Sequence, residues 1–365
     1  MDRIGLSALV LMIGAAACGG GNAAPPSSPV PSRATTTYPH LSAGHVSTCL
    51  IVDVNHVTCW GLLDTATPVA QPGPEAVAAR PLGVVGAVQV DGGLGYQCAI
   101  DGTGRASCRS QGGDFERVEL GAAAVTLAVA GDRACAIVDG DQLRCWKNGP
   151  EPKPASVPGI DNVIGLALGI AHTCALRRDG KVLCWGGNEA GMLGDGTTAS
   201  RGAPQVVAGL DDVVRIASSK AHTCALRGDG TVHCWGLGDD GQLGDGVKRP
   251  RDGMAVRPVQ VAGLRDVSAI SVGGAHACAL RAGHVLCWGG NGVGQVGDGT
   301  TEQRPGPVEV PMLDDVIEIA AGAGHQCALR RDQSVWCWGN GAMGQTGQGP
   351  VKTTPRPARV RGLSM

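Results

Sequence analysis

Short apolar runs separated by turn residues recur along this chain. The segment 171–187, AHTCALRRDGKVLCWGG, shows the pattern most clearly, with the runs HTCAL and KVLCW on either side of a three-residue turn that ends in Gly180. This arrangement predicts a β-hairpin whose glycine adopts the left-handed conformation and is followed by a bulge. A hairpin centred on Asp179 places Cys174 directly opposite Cys184, at a separation that a disulfide can span.

The hairpin belongs to a longer unit that recurs along the chain. The first cysteines of successive units are about 46 residues apart on average, which is the period of propeller blades. Each full unit contains four strand-like runs; in the unit around Cys224 they are 204–209, 213–218, 222–227 and 231–236. Seven such units predict an all-β fold, a seven-bladed β-propeller of four-stranded blades.

The two ends of the repeat region complement each other. The first unit begins near Thr35 and lacks the Pro-x-x-Val run that opens the other units, whereas 356–363 carries such a run with no unit after it. We therefore expect the propeller to occupy 35–365 and to be closed by pairing of the C-terminal strand with the N-terminal blade. Closure would remove sheet edges that otherwise pair with other chains.

Fourteen of the 15 cysteines form seven pairs, six with a spacing of ten residues and one with a spacing of nine. In the pair with the shorter spacing the turn is Ala282-Gly283, two residues long, so the cysteines keep their cross-strand register. The pattern predicts hairpin disulfides; buried free thiols and zinc are the alternatives, although zinc sites bring four closer ligands together. The predicted pairs are Cys49 with Cys59, Cys98 with Cys108, Cys135 with Cys145, Cys174 with Cys184, Cys224 with Cys234, Cys278 with Cys287, and Cys327 with Cys337.

The fifteenth cysteine, Cys18, follows a short apolar segment. Residues 1–17 combine a basic residue, an apolar run and small residues, which is typical of a signal peptide and too short for an ordinary membrane span. The run AAAC ending at Cys18 resembles a bacterial lipoprotein lipobox, which implies lipidation of this cysteine; a plain secretory signal cleaved near Ala17 is the alternative. Residues 18–34 are expected to form a flexible tether of Gly, Pro and Ser. The expected location is extracytoplasmic, either lipid-anchored in a bacterial cell envelope or secreted.

The repeats carry four short motifs: Gly-x-x-His-x-Cys, Cys-Trp-Gly, Asn-x-x-Gly-x-Leu-Gly-Asp-Gly-Thr and Pro-x-x-Val. In these motifs the chain resembles the regulator of chromosome condensation repeat family, which implies a seven-bladed propeller. The resemblance is strongest at 188–197, 238–246, 291–300 and 340–349, and weaker in the first three units, where Arg109 replaces the Trp of the second motif. The founding member is a nuclear exchange factor for a small GTPase, an activity that the resemblance implies by name only.

Three repeated residue types are candidates for chemistry. The first type is the histidine of the first motif; Tyr96 and Arg133 take its place in the second and third units. These histidines could form a ring around the axis and bind a metal or an anion. We expect instead that each one makes hydrogen bonds within its own blade. Aspartates of the third motif, with Gln348 in the fourth copy, would bind calcium or, as we expect, hold their turns. Tryptophans of the second motif are expected to pack between blades. Trp336 lies outside the motif, two residues before Trp338, and either a core or an exposed position is open to it. The histidines are His45, His172, His222, His276 and His325; the aspartates are Asp195, Asp245 and Asp298; the tryptophans are Trp60, Trp146, Trp185, Trp235, Trp288 and Trp338.

The charge pattern and the motifs that are missing narrow the function. The formal net charge is −2 with no basic stripe, so we expect no nucleic-acid partner. No nucleophile elbow, phosphate-binding glycine loop or paired carboxylates stand out, so we expect a binding protein without a cofactor rather than an enzyme. The longest insertion, 247–256, carries Lys248, Arg249 and Arg251, and these are the candidate partner contacts.

The sequence therefore predicts a monomeric, lipid-anchored propeller that binds an unidentified protein, as a scaffold, an adhesion module or an enzyme inhibitor. It would meet the membrane only through the lipid. The first alternative is an enzyme acting on envelope polysaccharide or peptide at the channel mouth; the second is exchange-factor activity, implied by the family name.

Overall fold

The computed structural model describes residues 40–53, 56–61, 80–81, 84–93, 95–110, 113–149, 152–349 and 351–363. Over these ranges the chain forms 28 strands and no helix. The predicted signal peptide 1–17, Cys18 and the tether 18–34 lie outside the described residues. No helix in the described ranges is long and apolar enough to cross a membrane.

The strands form seven four-stranded antiparallel sheets, numbered here as blades 1 to 7 in chain order. Blades 1 to 3 consist of β1 (His40–Ala43), β2 (Ser47–Asp53), β3 (His56–Gly61), β4 (Arg80–Pro81); β5 (Ala87–Gly92), β6 (Tyr96–Asp101), β7 (Ala106–Ser110), β8 (Glu116–Val118); and β9 (Ala124–Ala130), β10 (Arg133–Val138), β11 (Gln142–Lys147), β12 (Ala155–Ser156). Blades 4 and 5 consist of β13 (Val163–Leu168), β14 (His172–Arg177), β15 (Val182–Gly186), β16 (Arg201–Val206); and β17 (Val213–Ser218), β18 (His222–Arg227), β19 (Val232–Leu237), β20 (Met254–Gln260). Blades 6 and 7 consist of β21 (Ala269–Val272), β22 (His276–Arg281), β23 (His284–Gly289), β24 (Arg304–Glu309); and β25 (Val316–Ala321), β26 (His325–Arg330), β27 (Val335–Gly341), β28 (Val351–Arg359).

Each blade is a meander whose first strand is innermost. Within a blade, each strand pairs with the next in sequence. The first strands of neighbouring blades contact one another around the ring, including β1 with β25. The predicted all-β, seven-bladed propeller is therefore confirmed. The apolar cores lie between blades: one cluster joins Leu176 of blade 4 to Val213, Ala225 and Trp235 of blade 5.

Two details of the predicted topology are wrong. The Pro-x-x-Val run ends a blade instead of opening one: β16 pairs with β15, so it is the outer strand of blade 4. For the same reason the C-terminal strand β28 pairs with β27 of blade 7, and not with the N-terminal blade. Blade 1 already has an outer strand, β4, paired with β3, so it needs no strand from the other end of the chain.

The ring is closed by side-by-side packing of blades 7 and 1. Glu318 accepts a hydrogen bond from the backbone N–H of Leu41 at 2.9 Å and pairs with Nδ1 of His40 at 2.6 Å. Burial lowers the pKa of His40, but the hydrogen bond and charge of Glu318 outweigh it, so the pKa lies above its ordinary value. Farther along the same junction, the indole N–H of Trp60 donates to the carbonyl of Gln345 at 3.0 Å.

The hairpins and disulfides agree with the sequence pattern. Cys174 lies directly opposite Cys184, and Gly180 has a φ of 77°. All seven predicted pairs are joined, with Cα–Cα distances between 4.0 and 4.1 Å. By the chain-entropy estimate a loop of this length contributes about 3 kcal/mol per disulfide, and less where the hairpin is already local.

Candidate functional site

The propeller presents two faces of different construction. One, the loop face, carries the turns between first and second strands near the axis and the long connections between third and fourth strands farther out. The other, the hairpin face, carries the hairpins between second and third strands and the links between blades. The third-motif loops and the insertion 247–256 both lie on the loop face. Variable connections on a rigid scaffold are where binding residues concentrate.

The aspartates of the third motif hold their own loops. Asp195 accepts hydrogen bonds from the backbone N–H and hydroxyl of Thr197 at 2.9 and 2.7 Å, and from Nε of Arg201 at 3.0 Å. Burial raises the pKa of Asp195, but these hydrogen bonds and the charge of Arg201 bring it below its ordinary value. Asp298 repeats the arrangement with Thr300 and Arg304. Within the described ranges, no three His, Cys, Asp or Glu side chains are grouped closely enough to hold a metal ion.

Two of the four buried histidines of the first motif, His172 and His325, link neighbouring blades by hydrogen bonds. His172, His222, His276 and His325 are fully buried, so they do not line an open channel. Nε2 of His172 lies 2.8 Å from Oγ1 of Thr223 in the next blade, and His325 makes the same contact with Thr48 at 2.9 Å. The predicted hydrogen bond within the same blade is thus replaced by one to the next blade. Burial lowers the pKa of His172 to about 3.

His45 does not occupy the motif position that its sequence suggested. Ser47 pairs with Gly61 as His172 pairs with Gly186, so Ser47 is the first-blade equivalent. His45 lies two residues earlier, in the turn between β1 and β2, and is only partly buried. The reason is spacing: His45 precedes its cysteine by four residues and the other histidines precede theirs by two.

The tryptophans of the second motif bind the loop of the preceding blade. At four junctions the indole N–H donates to a backbone carbonyl of the third-motif loop, and the tryptophan is at most 1% exposed. The pairs are Trp235 with Met192 at 2.8 Å, and Trp288 with Gln242, Trp338 with Gln295 and Trp60 with Gln345, each at 3.0 Å. Trp336 is separate from this series: its indole donates to Oγ of Ser334 and it packs on the core beside blade 6.

Blades 2, 3 and 4 follow connections that lack the third-motif loop, and their residues at the tryptophan position make other contacts. Blade 2 carries Arg109, which donates to Oε1 of Gln97 at 2.9 Å and lies 5.0 Å above the Phe115 ring. In blade 3 the indole of Trp146 donates to the hydroxyl of Tyr96 at 2.9 Å. Trp185 of blade 4 follows the short connection 148–154 and is partly exposed.

The insertion 247–256 is held in place by hydrogen bonds and an ion pair, and only some of its side chains are accessible to a partner. Arg249 binds both carboxylate oxygens of Asp245, at 2.9 and 2.6 Å, and its side chain is 14% exposed. The insertion is also closed by a backbone bond from Gly238 N–H to Gly253 carbonyl at 2.7 Å. Lys248 and Arg251 are exposed and make no ion pair with any residue in the described ranges. Of the three predicted contacts, two are therefore accessible, because Arg249 does for Asp245 what Arg201 does for Asp195.

The fold and the repeated contacts define a repeat propeller in which a tryptophan of one blade binds the loop of the preceding blade. Two models of the regulator of chromosome condensation (RCC1) repeat match the chain, one at 179–226, 229–280 and 282–329, the other at 163–191, 213–242 and 316–345. The chain therefore belongs to the regulator of chromosome condensation repeat family.

Solved structures of similar shape include two of the yeast protein Prp20. Prp20p from Saccharomyces cerevisiae is 20% identical, with a TM-score of 0.74 over 86% of this chain and 87% of that one. The same protein bound to Kap60 gives 21% identity and a TM-score of 0.72 over 84% of each chain. Human WBSCR16 is 20% identical, with a TM-score of 0.68 over 83% of this chain and 92% of that one. At these identities the comparisons describe the fold.

Proposed function

We propose that this chain is an extracytoplasmic, lipid-anchored propeller that binds a protein partner through its loop face, with Lys248 and Arg251 in the contact. The observation that carries this proposal is the insertion itself. A partly buried ion pair and backbone hydrogen bonds hold it in one conformation, while two cations and the 49% exposed Val247 face solvent. A preordered loop loses little entropy on binding, and arginine beside apolar surface is typical of interface centres.

The use of related propellers supports a binding role. The work on Prp20p concerns its binding to Gsp1p and histones, and a second structure shows it bound to Kap60. Other partners are expected for this chain, because seven disulfides are typical of chains that fold in oxidising compartments. The proposed partner is instead an envelope or extracellular protein, which the propeller binds as a monomer.

The contact is tested by reversing the two exposed charges. The double variant K248E/R251E is compared with K181E/R265E, which changes one exposed lysine and one exposed arginine on the hairpin face. Each tagged chain is cross-linked in its native host and recovered, and co-purified envelope proteins are quantified by mass spectrometry. We expect one protein or more to fall at least tenfold with K248E/R251E and to be unchanged with K181E/R265E. Equal recovery from both variants would refute the assignment.

The anchor is tested separately by the intact mass of the mature protein under non-reducing conditions. We expect a chain that starts at lipid-bearing Cys18 and lacks 14 hydrogens, two for each disulfide. A C18S variant should leave the membrane fraction with its disulfides intact. A mature chain with free thiols, or one without lipid that still sediments with membranes, would contradict this part of the proposal.

A further inference from the structure

We propose that Trp185 marks a second docking site on the loop face, which binds a tight turn of a partner protein with the sequence pattern x-Leu-Gly-Asp. The site lies between blades 3 and 4, away from the insertion of blade 5. It is inferred from what the other tryptophans of the same motif bind within this chain.

The chain itself shows what this type of site accepts. At three junctions the bound loop presents a carbonyl to the indole, then a fully buried aliphatic side chain, then a glycine with positive φ. The triplets are Met192-Leu193-Gly194, Gln242-Leu243-Gly244 and Gln295-Val296-Gly297. The fourth, Gln345-Thr346-Gly347, replaces the aliphatic residue by threonine. The ligand is therefore a turn with a defined hydrogen bond and one buried side chain.

The glycine of the turn is required by close packing on the indole. A Cβ on Gly244 would lie 2.6 Å from Nε1 of Trp288, and one on Gly297 would lie 2.5 Å from Nε1 of Trp338. Glycine also supplies φ values of 69° and 82° at these positions, in the left-handed region. An incoming turn with any other residue there could not approach the ring closely enough for the carbonyl to reach the indole N–H.

Trp185 has the same placement, but the connection that precedes it lacks the loop motif. It packs on the blade 3 core with Cys135 and Leu143, as Trp235 packs on the blade 4 core. The connection of blade 3, 148–154, contains no Leu-Gly-Asp-Gly run. Trp185 is partly exposed, and its indole N–H donates to no residue that the structure describes.

The surroundings of Trp185 favour an acidic turn. Its cross-strand partner is Thr173, whose hydroxyl lies 3.3 Å from Nη1 of Arg133. Lys147, paired with Arg133 on the neighbouring strands, is exposed and makes no ion pair within the described ranges. Ile170, in the turn before β14, is 51% exposed. An aspartate after the glycine would bring a negative charge close to these two cations, and an aliphatic neighbour would cover Ile170.

The test uses a cyclic peptide with the sequence of residues 188–197, NEAGMLGDGT. It is titrated into the full mature chain labelled with 5-fluorotryptophan, and the fluorine resonances are followed. We expect saturable binding that shifts the Trp185 resonance, identified with W185F, and leaves the other six within their spread. Binding should weaken at least tenfold in W185F and be unchanged in W336F, a matched loss of a partly exposed indole elsewhere.

Two further comparisons test the site without relying on the folding of W185F. A peptide in which the glycine after Met-Leu is alanine should bind at least tenfold more weakly to the unmodified protein. Replacing 148–154 with the blade 4 connection 187–200 should cover Trp185 and abolish binding. No saturable shift, equal binding of the alanine peptide, or a Trp185 resonance that moves on dilution without peptide (self-association) would each overturn the proposal. Loss of partner with K248E/R251E leaves this result unaffected, so the two sites fail independently.

Discussion

Cys278 and Cys287 lie directly opposite each other across β22 and β23 although one residue fewer separates them than separates the other cysteine pairs. Their turn, Ala282-Gly283, has φ values of 50° and 83°. Positive φ at both central positions is the type I′ geometry, in which the strands keep their register with only two linking residues. The shorter turn and the shorter cysteine spacing are therefore one adaptation, and its cost falls on Ala282, a residue with a Cβ in the left-handed region.

Replacing Ala282 with asparagine should stabilise the protein. Asparagine tolerates the left-handed region better than alanine, so we expect a gain of about 0.5–1 kcal/mol in the free energy of unfolding. Denaturant unfolding of the oxidised protein measures the difference. Ala262→Asn, at an exposed position without positive φ, is the matched control and should give no gain. An equal change in both variants would show that the turn geometry is not the cause.

Two glycines of one loop separate packing from backbone conformation. Gly244 and Gly246 have φ values of 69° and 82°, but a Cβ on Gly244 would collide with Trp288 whereas one on Gly246 would meet nothing within 4 Å. Gly246→Ala should cost about 1 kcal/mol from conformation alone. Gly244→Ala should cost about 2–4 kcal/mol, because overpacking adds to the same strain. Thermal or denaturant unfolding distinguishes them, and equal losses would contradict the tryptophan contact.

The sequence predicted the blade content and the disulfides because both rest on local spacing. Two cysteines on either side of a short turn can be placed by counting, as for Cys174 and Cys184. The order of strands in a blade is not local: a Pro-x-x-Val run stands between two hairpins and could pair with either, so the assignment of β28 failed. The predicted way of closing the ring was wrong for the same reason, because it depended on which blade β28 joins.

The side-chain roles were harder to predict for a physical reason. Arg249 looked like a surface cation until its distance to Asp245 was known, since i,i+4 spacing in a loop predicts no contact by itself. His172 bonds to Thr223 of the next blade, 51 residues away, and His325 bonds to Thr48 at the other end of the chain. The sequence shows that blade 3 lacks the loop motif before Trp185. It does not show that this loop binds the tryptophan in the other blades, so the exposure of Trp185 could not be predicted.

The buried histidines should make the propeller sensitive to acid. Burial lowers the pKa values of His172, His222 and His325 to about 3 and that of His276 to about 4. The unfolded chain binds protons at these residues below pH 6.5 while the folded chain does not, so their stabilising contribution is complete above pH 6.5 and lost as the pH falls toward 3. Each contributes a slope of up to about 1.4 kcal/mol per pH unit.

Two groups oppose this trend. Asp91, whose pKa burial raises to about 6, binds a proton in the folded state first and so favours folding as the pH falls from 6 to 4. His40, with a raised pKa, acts in the same direction. The four buried histidines outweigh Asp91 and His40, so the free energy of unfolding measured in urea should fall from pH 7 to 6 to 5. His325→Gln should reduce the slope, and a slope unchanged by that variant would contradict the assignment.

The junction of blades 7 and 1 should be the point at which the ring opens, because no peptide link joins these blades. Glu318 ties β25 to β1 through Leu41 and His40, and Glu318→Ala leaves the backbone N–H of Leu41 without that acceptor. A lost hydrogen bond to a charged group costs about 1–3 kcal/mol. Hydrogen exchange should accelerate in β1 and β25 and stay unchanged in β13. Arg215 lies nine residues before its cysteine, as Glu318 lies before Cys327. Its side chain is exposed and makes no hydrogen bond or ion pair with a described residue, so Arg215→Ala is the matched control. Uniform acceleration around the ring, or an equal effect of Arg215→Ala, would show that closure does not depend on this contact.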